Sequence, residues 1–348
     1  MAYEHLSSAG SGLYMKFRKP LTSAQGIASW NDRAFILYDT GACAVYDLKN
    51  RRVRPLDVFP LGSYNWGKPN LDFKNHANSC NFSNQHWEGN PIPLLYVDVG
   101  AGIGADEDGY FYRVAVENIT CQVDAEGNEN YRGQVLQTIT VKPEGDEARG
   151  FRDPGWGCPC HVLDAEGGYL YAVTARFRTT RAALRPGEKN ALIITKYALP
   201  EVVAGTKVQL TGKDILDQWE LEDDTLFTQS GIFHRGKIYY FFGCAIHDYP
   251  NHVMVIDLEN RRIEKRIDDD LGIFGLDEFE CGTVYNGMLL VNANEVGSPD
   301  GNLYVIREDI LGEKEKEYGY AEFERRGYQA VYALRQGLAS GGSGHGYF

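Results

Sequence analysis

The chain has 348 residues, 43% of them hydrophobic and 12% aromatic, with a net charge of −13. That apolar content builds a sizeable core and excludes a disordered chain. The acidic balance argues against a duplex or membrane-surface binder, which carries a basic face, and no apolar run approaches the ~18 residues that cross a bilayer as a helix, so neither nucleic acid nor membrane is an expected partner.

In chain order, Leu13 to Phe17 alternates apolar and polar residues and predicts one strand without a unit of its own. A full unit follows. Gln25 to Trp30, Ala34 to Tyr38, Cys43 to Leu48 and Arg52 to Val58 predict four antiparallel strands joined by tight turns at Asn31-Asp32 and Asp39-Thr40-Gly41. A second unit reads from His76 to Phe82, Leu94 to Val99, Tyr110 to Val116 and Val135 to Val141. A third reads from Cys160 to Asp164, Tyr169 to Ala175, Leu192 to Ala198 and Val208 to Leu210. Gln229 to Phe233, Lys237 to Gly243, Val253 to Leu258 and Arg262 to Ile267 predict a fourth. Glu280 to Tyr285, Met288 to Ala293 and Asn302 to Ile306 supply three strands of a fifth.

One phrase occurs twice in this series. Tyr46-Asp47-Leu48-Lys49-Asn50-Arg51-Arg52-Val53 returns as Ile256-Asp257-Leu258-Glu259-Asn260-Arg261-Arg262-Ile263, each copy closing a unit that begins at a Gln (Gln25, Gln229). Small β-units of this kind bury their faces only by stacking, which predicts an all-β propeller. The fifth unit lacks a fourth strand, and the N-terminal strand lacks a unit. The two deficits match, so five blades closed by the N-terminal strand are expected. Six blades are the alternative, with Gly327 to Leu334 as a strand of an irregular extra blade. The expected layout is an N-terminal tail over 1–12, the propeller over 13–310, a charge-rich excursion over 311–336 packed on or beside it, and a flexible tail over 337–348. Within the charge-rich stretch, Glu308 to Arg326 reads as a short helix or a surface excursion.

In a propeller the first strand of each blade lines the central channel. Aligning the units puts Gln25, His76, Asn78, Cys160, His161, Gln229 and Glu280 at or near equivalent inner-strand starts. A polar ring of this kind is either a ligand site at the channel mouth or the lining of a wet channel. A carbohydrate or protein ligand is the expected partner, with Trp156 and Arg176 near the same loops; Trp66, Trp87 and Trp156 offer faces for sugar rings or pack between blades. Arg176, Arg178, Arg181 and Arg185 form a basic patch or a solvated loop.

Catalysis is open. Glu280, with Asp277 and Glu278 just before it, and Asp153 supply carboxylates for glycoside hydrolysis, although their pairing is not defined by spacing. His76, His161, Arg176 and tyrosines would serve a polysaccharide lyase. Glu280 and His161 are the candidate acid and base. No cofactor is expected: Gly100-Ala101-Gly102-Ile103-Gly104 precedes acidic residues and no helix, Cys158-Pro159-Cys160-His161 lacks a second metal-ligand pair, and His76, His161 and Glu280 have no local ligand spacing, so no metal is assigned. The seven scattered cysteines are not a disulfide framework and read as reduced, which fits a cytoplasmic chain; no signal peptide is visible before Phe17, and a trimmed exported protein would look the same.

His76-Ala77-Asn78-Ser79-Cys80-Asn81-Phe82, followed by Pro93-Leu94-Leu95-Tyr96-Val97, resembles a motif in uncharacterised β-propeller proteins of gut Bacteroidetes. The resemblance covers about one blade and, loosely, the repeat rhythm. It implies a propeller and a carbohydrate context, and it supplies no catalytic residue.

Overall fold

The computed structural model of the chain describes residues 1–5, 11–21, 23–39, 41–63, 77, 79–99, 104–106, 109–142, 160–176, 191–223, 228–243, 251–269, 277–295, 298–306 and 311. The strands are β1 (Ala2–His5), β2 (Gly12–Arg18), β3 (Ala24–Trp30), β4 (Arg33–Tyr38), β5 (Ala42–Asp47), β6 (Asp57–Pro60), β7 (Cys80–Phe82), β8 (Leu95–Asp98), β9 (Gly104–Asp106), β10 (Gly109–Val123), β11 (Glu129–Lys142) and β12 (Cys160–Asp164). They continue with β13 (Tyr169–Arg176), β14 (Ala191–Ala198), β15 (Thr206–Thr211), β16 (Ile215–Glu222), β17 (Thr228–His234), β18 (Lys237–Phe242), β19 (His252–Asp257), β20 (Arg262–Asp268), β21 (Asp277–Tyr285), β22 (Met288–Glu295) and β23 (Asp300–Ile306).

These strands form five sheets, and the protein is a five-bladed β-propeller. From the axis outward, blade one is β3-β4-β5-β6 and blade two is β7-β8-β10-β11. Blade three is β12-β13-β14-β16, blade four β17-β18-β19-β20, and blade five β21-β22-β23-β2. The N-terminal strand therefore closes the ring as the outermost strand of the last blade, pairing antiparallel with β23.

The middle strands are sandwiched between neighbouring blades and read as continuous apolar runs, because both faces are buried. In β4, Phe35 and Leu37 enter the core shared with blade two, while Ala34, Ile36 and Tyr38 enter the core shared with blade five. Five such apolar clusters lie between successive blades, one at each junction of the ring. Outer strands such as β6 and β15 alternate buried and exposed residues, as half-covered edges do.

Three expectations need correction. Val208–Leu210 is not the fourth strand of blade three. It lies in β15, which pairs parallel with β11 on the outer edge of blade two. The fourth strand of blade three is β16, reached through a 3-10 turn at Gly212–Asp214 whose N-cap Thr211 and Asp214 form a reciprocal capping pair. Residues 1–12 are not simply a tail, since Ala2–His5 adds β1 in parallel to β20 at the edge of blade four. The third strand of blade two runs on to Val123 and forms a long hairpin with β11, where a strand ending at Val116 was expected. The proposed helix within 308–326, the sixth-blade strand at 327–334 and the tail over 337–348 lie outside the described residues.

The repeated phrase has a physical basis. Asp47 accepts from Asn50 N (2.8 Å) and Asn50 Nδ2 (2.7 Å), and Asp257 accepts from Asn260 N (3.0 Å) and Nδ2 (2.7 Å). Arg51 and Arg261 then take positive φ, 50° and 49°, to complete the same turn. Each Asp locks the link between third and fourth strands of its blade. Replacing either Asp47 or Asp257 with Ala is expected to cost about 1–2 kcal/mol. Urea denaturation checks this, with equal losses expected at the two copies.

Candidate channel-mouth site

The inner strands β3, β7, β12, β17 and β21 surround the axis, and polar bonds stitch each junction. Gly26 N donates to Ala77 O (2.8 Å), and Ser79 Oγ to His161 O (2.8 Å). Cys160 Sγ donates to Tyr240 OH (3.5 Å), Ser230 Oγ to Glu280 O (2.6 Å), and Ser29 N to Thr283 Oγ1 (3.0 Å). Gly26 is required at this junction: a Cβ there would stand 2.6 Å from Ala77 O.

Three inner strands carry a β-bulge at the same level. In β3, Ala24 pairs with Tyr38 and Ile27 with Ile36, so one residue is extra at Gln25-Gly26. In β17, Thr228 pairs with Phe242 and Gly231 with Tyr240, with the extra residue at Gln229-Ser230. In β21, Phe279 pairs with Ala293 and Cys281 with Asn292, which leaves Glu280 extra. Bulges re-aim side chains and are enriched beside functional sites. Here they present Gln25, Gln229 and Glu280 from blades one, four and five.

These side chains form one network. Gln25 Nε2 donates to Glu280 Oε1 (3.2 Å) and to Ser23 Oγ (2.9 Å). Asn294 Nδ2 donates to the same Glu280 oxygen (3.5 Å), and Asn294 Oδ1 accepts from Lys19 Nζ (2.8 Å). Gln229 Nε2 donates to Glu278 Oε1 (2.6 Å) and to Gly243 O (2.8 Å). From the second strand of blade five, Asn292 Nδ2 holds the bulge through Gln25 O (2.7 Å). Gln25, Gln229 and Glu280 are all buried. Burial first, then the charges of Glu278 and Asp39, raises the Glu280 carboxyl well above the ordinary carboxylate range, which favours its protonated form.

His161 is fully buried on β12, and its Nδ1 lies 2.5 Å from Oδ1 of Asp98 on β8. A carboxylate at that nitrogen fixes the ring's tautomer and orientation. Among the described residues, the buried polar atoms on the inner strands that lack a hydrogen-bond partner include Gln25 Oε1, Asn81 Oδ1, His161 Nε2 and Thr228 Oγ1; Asn81 lines a cavity at the opposite end of these strands.

Of the residues read from the sequence, Gln25, His161, Gln229 and Glu280 are all on inner strands, and Gln25 and Glu280 touch. His76, Asn78 and Trp156 lie outside the described residues, as do Trp66, Asp153, Cys158, Arg178, Arg181 and Arg185. Arg176 ends β13, the second strand of blade three. Cys160 is a buried core thiol against Tyr240. Trp87 packs on the core between blades two and three. Among the described residues, no three His, Cys, Asp or Glu side chains gather as a metal-ligand set. Sequence reasoning missed Asn292, Asn294, Asp98, Lys19 and Thr228. Thr228 alone had a readable signal, since it directly precedes Gln229.

At the other end of the inner strands is a cavity of about 150 Å³, with Ser29, Asn81, Leu163, His234 and Thr283 contributed by the five blades in turn. It is separate in sequence level from the bulges.

No family model and no curated protein matches the chain. Among solved structures, the crystal structure of Myxococcus xanthus glutaminyl cyclase aligns at 12% identity with a TM-score of 0.44, covering 85% of this chain and 97% of that one. A likeness at that level carries no inference about this chain's chemistry.

Proposed function

We propose that the chain binds a carbohydrate at the channel mouth, through the amides and carboxyls that the inner-strand bulges present. The observation that carries this reading is the set of buried atoms without a hydrogen-bond partner, Gln25 Oε1, His161 Nε2 and Thr228 Oγ1, on three different blades beside the Gln25–Glu280 and Gln229–Glu278 bonds. Buried polar atoms are nearly always hydrogen-bonded, so atoms left over around one axis favour a ligand with several hydroxyl or amino groups. Planar amides and carboxyls suit such a ligand because each presents donors and acceptors in fixed geometry.

The test is binding to a panel of saccharides by calorimetry, with Gln25→Leu and Gln229→Leu alongside the wild type. Each substitution is expected to weaken binding by about tenfold or more, the worth of one well-made hydrogen bond. The reading fails if no saccharide binds, or if both variants bind as the wild type does.

A second reading is glycoside hydrolysis, favoured by the buried Glu280 carboxyl, which burial and the charge of the nearby Glu278 raise above the ordinary range. A protonated carboxyl is the acid that such chemistry needs. Release of new reducing ends that stops in Glu280→Gln would select this reading over binding alone.

A further inference from the structure

Away from the bulges, the inner strands end around the cavity of about 150 Å³ to which all five blades contribute. No Asp, Glu, Lys or Arg is among its described lining side chains, so nothing there balances a charged ligand. Its apolar wall comes from Phe82, Leu163, Phe233 and Val284, on four blades. Its polar groups are Ser29 on β3, Asn81 on β7, His234 on β17 and Thr283 on β21.

The hydroxyls of Ser29 and Thr283 have spent their protons. Ser29 Oγ donates to Val284 O (2.9 Å), which leaves Thr283 as the donor in the 3.0 Å bond between the two hydroxyls. A hydroxyl has one proton and two lone pairs. Thr283 Oγ1 accepts from Ser29 N (3.0 Å) and Ser29 Oγ accepts from Thr283, so each oxygen keeps one acceptor position. Asn81 Oδ1 is a third acceptor, buried and without a hydrogen-bond partner. An apolar wall with a few fixed polar groups is the usual make-up of a small-molecule pocket, and a cavity of this size accepts one benzene ring.

We infer that this end of the channel binds a neutral phenolic ring, either a free small phenol or a tyrosine side chain. The phenol hydroxyl brings a donor to the acceptors of Ser29, Asn81 and Thr283, and it stays uncharged at neutral pH because it ionises only near about pH 10. Its ring suits the aromatic faces and edges of Phe82 and Phe233. A carboxylate or an ammonium would give up its hydration here with no opposite charge to meet it, and a saccharide has too many hydroxyls for the apolar wall. The site shares no residue with the Gln25–Glu280 network, so it stands or falls apart from the carbohydrate reading.

The experiment is calorimetry of the full chain near pH 7 with phenol, toluene, benzoate and N-acetyltyrosinamide. Toluene has the shape of phenol without the donor, and benzoate carries a charge. Phenol is expected to bind at least about tenfold more tightly than toluene, the worth of one well-made hydrogen bond, with benzoate no better than toluene. Asn81→Leu, whose fold is checked by circular dichroism, is expected to cut that preference to a few-fold. An NMR titration of the wild type locates the ring without any variant, since phenol is expected to shift the imidazole signals of His234. N-acetyltyrosinamide binding as tightly as phenol assigns the site to a tyrosine side chain, and binding of phenol without it assigns a free phenol; both sustain the inference. Absence of phenol binding up to about 10 mM overturns it, as does toluene or benzoate binding equal to that of phenol. A phenol preference that leaves His234 unshifted, or that is unchanged in folded Asn81→Leu, places the ring elsewhere and overturns it as well.

Discussion

Removing residues 1–19 is expected to abolish cooperative unfolding. β2 supplies Tyr14, Met15 and Phe17 to the core between blades five and one, and all three are buried. Fully burying side chains of this size is worth roughly 1.5–3 kcal/mol each, so the three account for much of the roughly 5–15 kcal/mol that holds a folded domain. The strand also clasps the next blade: Tyr14 OH donates to Leu48 O (2.9 Å), Arg18 N to Val53 O (2.7 Å) and Tyr46 OH to Arg18 O (2.8 Å). Phe17 meets Tyr46 edge-on at 5.1 Å. Without β2, β23 becomes an open edge and the ring loses its clasp. The contrast is removal of residues 1–5 alone. That strand sits at the exposed rim of blade four, with Tyr3 65% exposed, and its loss is expected to change the melting temperature little. A thermal melt of both truncations decides the matter. A wild-type transition in the longer truncation would mean that β2 does not close the ring. Gly301→Ala attacks the same seam, because a Cβ there would overlap the Phe17 ring.

The ring and its closure were legible in the sequence because they follow from short-range patterns. Apolar runs such as Phe35 to Tyr38 mark strands buried on both faces, and the Asp-x-x-Asn turn repeats because the Asp side chain bonds only three residues ahead. Edge strands were read less well. β16 (Ile215–Glu222) carries exposed Glu220 and Glu222 and a half-buried Asp217 and reads as a polar link, while Val208 and Leu210 in β15 have the alternation that any blade edge would accept. Periodicity identifies a strand and leaves its neighbour undetermined.

The site divides in the same way. Gln25, Gln229, His161 and Glu280 were readable because repeat alignment places equivalent residues on equivalent strands. Their partners were not. Asp98 meets His161 from 63 positions away, Lys19 meets Asn294 from 275, and Gln25 meets Glu280 from 255, in each case across a join between blades or across the closing seam. Such pairs arise only once the ring closes, and no local spacing announces them. The bulges were hidden as well, since an inserted residue is recognised only by register against the neighbouring strand.

Glu280→Gln is expected to make the protein more stable than the wild type at mildly alkaline pH and no more stable near pH 4. Burial, with the charges of Glu278 and Asp39, holds the carboxyl's folded-state pKa well above its unfolded value of about 4.3. For a raised carboxyl the sign is fixed: its protonated form contributes full stability below the unfolded value, and that contribution is lost as pH rises through the folded value. Across that window one group changes stability by about 1.4 kcal/mol per pH unit. Glutamine keeps an oxygen to accept from Gln25 Nε2 and Asn294 Nδ2 and never ionises, so the variant has no such slope from this position. Denaturation of both proteins at pH 4.5 and pH 8 tests this. Parallel pH profiles would mean that Glu280 is ionised in the folded state, through a closer approach of Lys19 than the Asn294 bridge allows. The expected divergence has a functional meaning. A neutral amide at the bulge would serve the fold better than the carboxyl does, so the carboxyl is held there against stability, as buried acids in binding and catalytic sites commonly are.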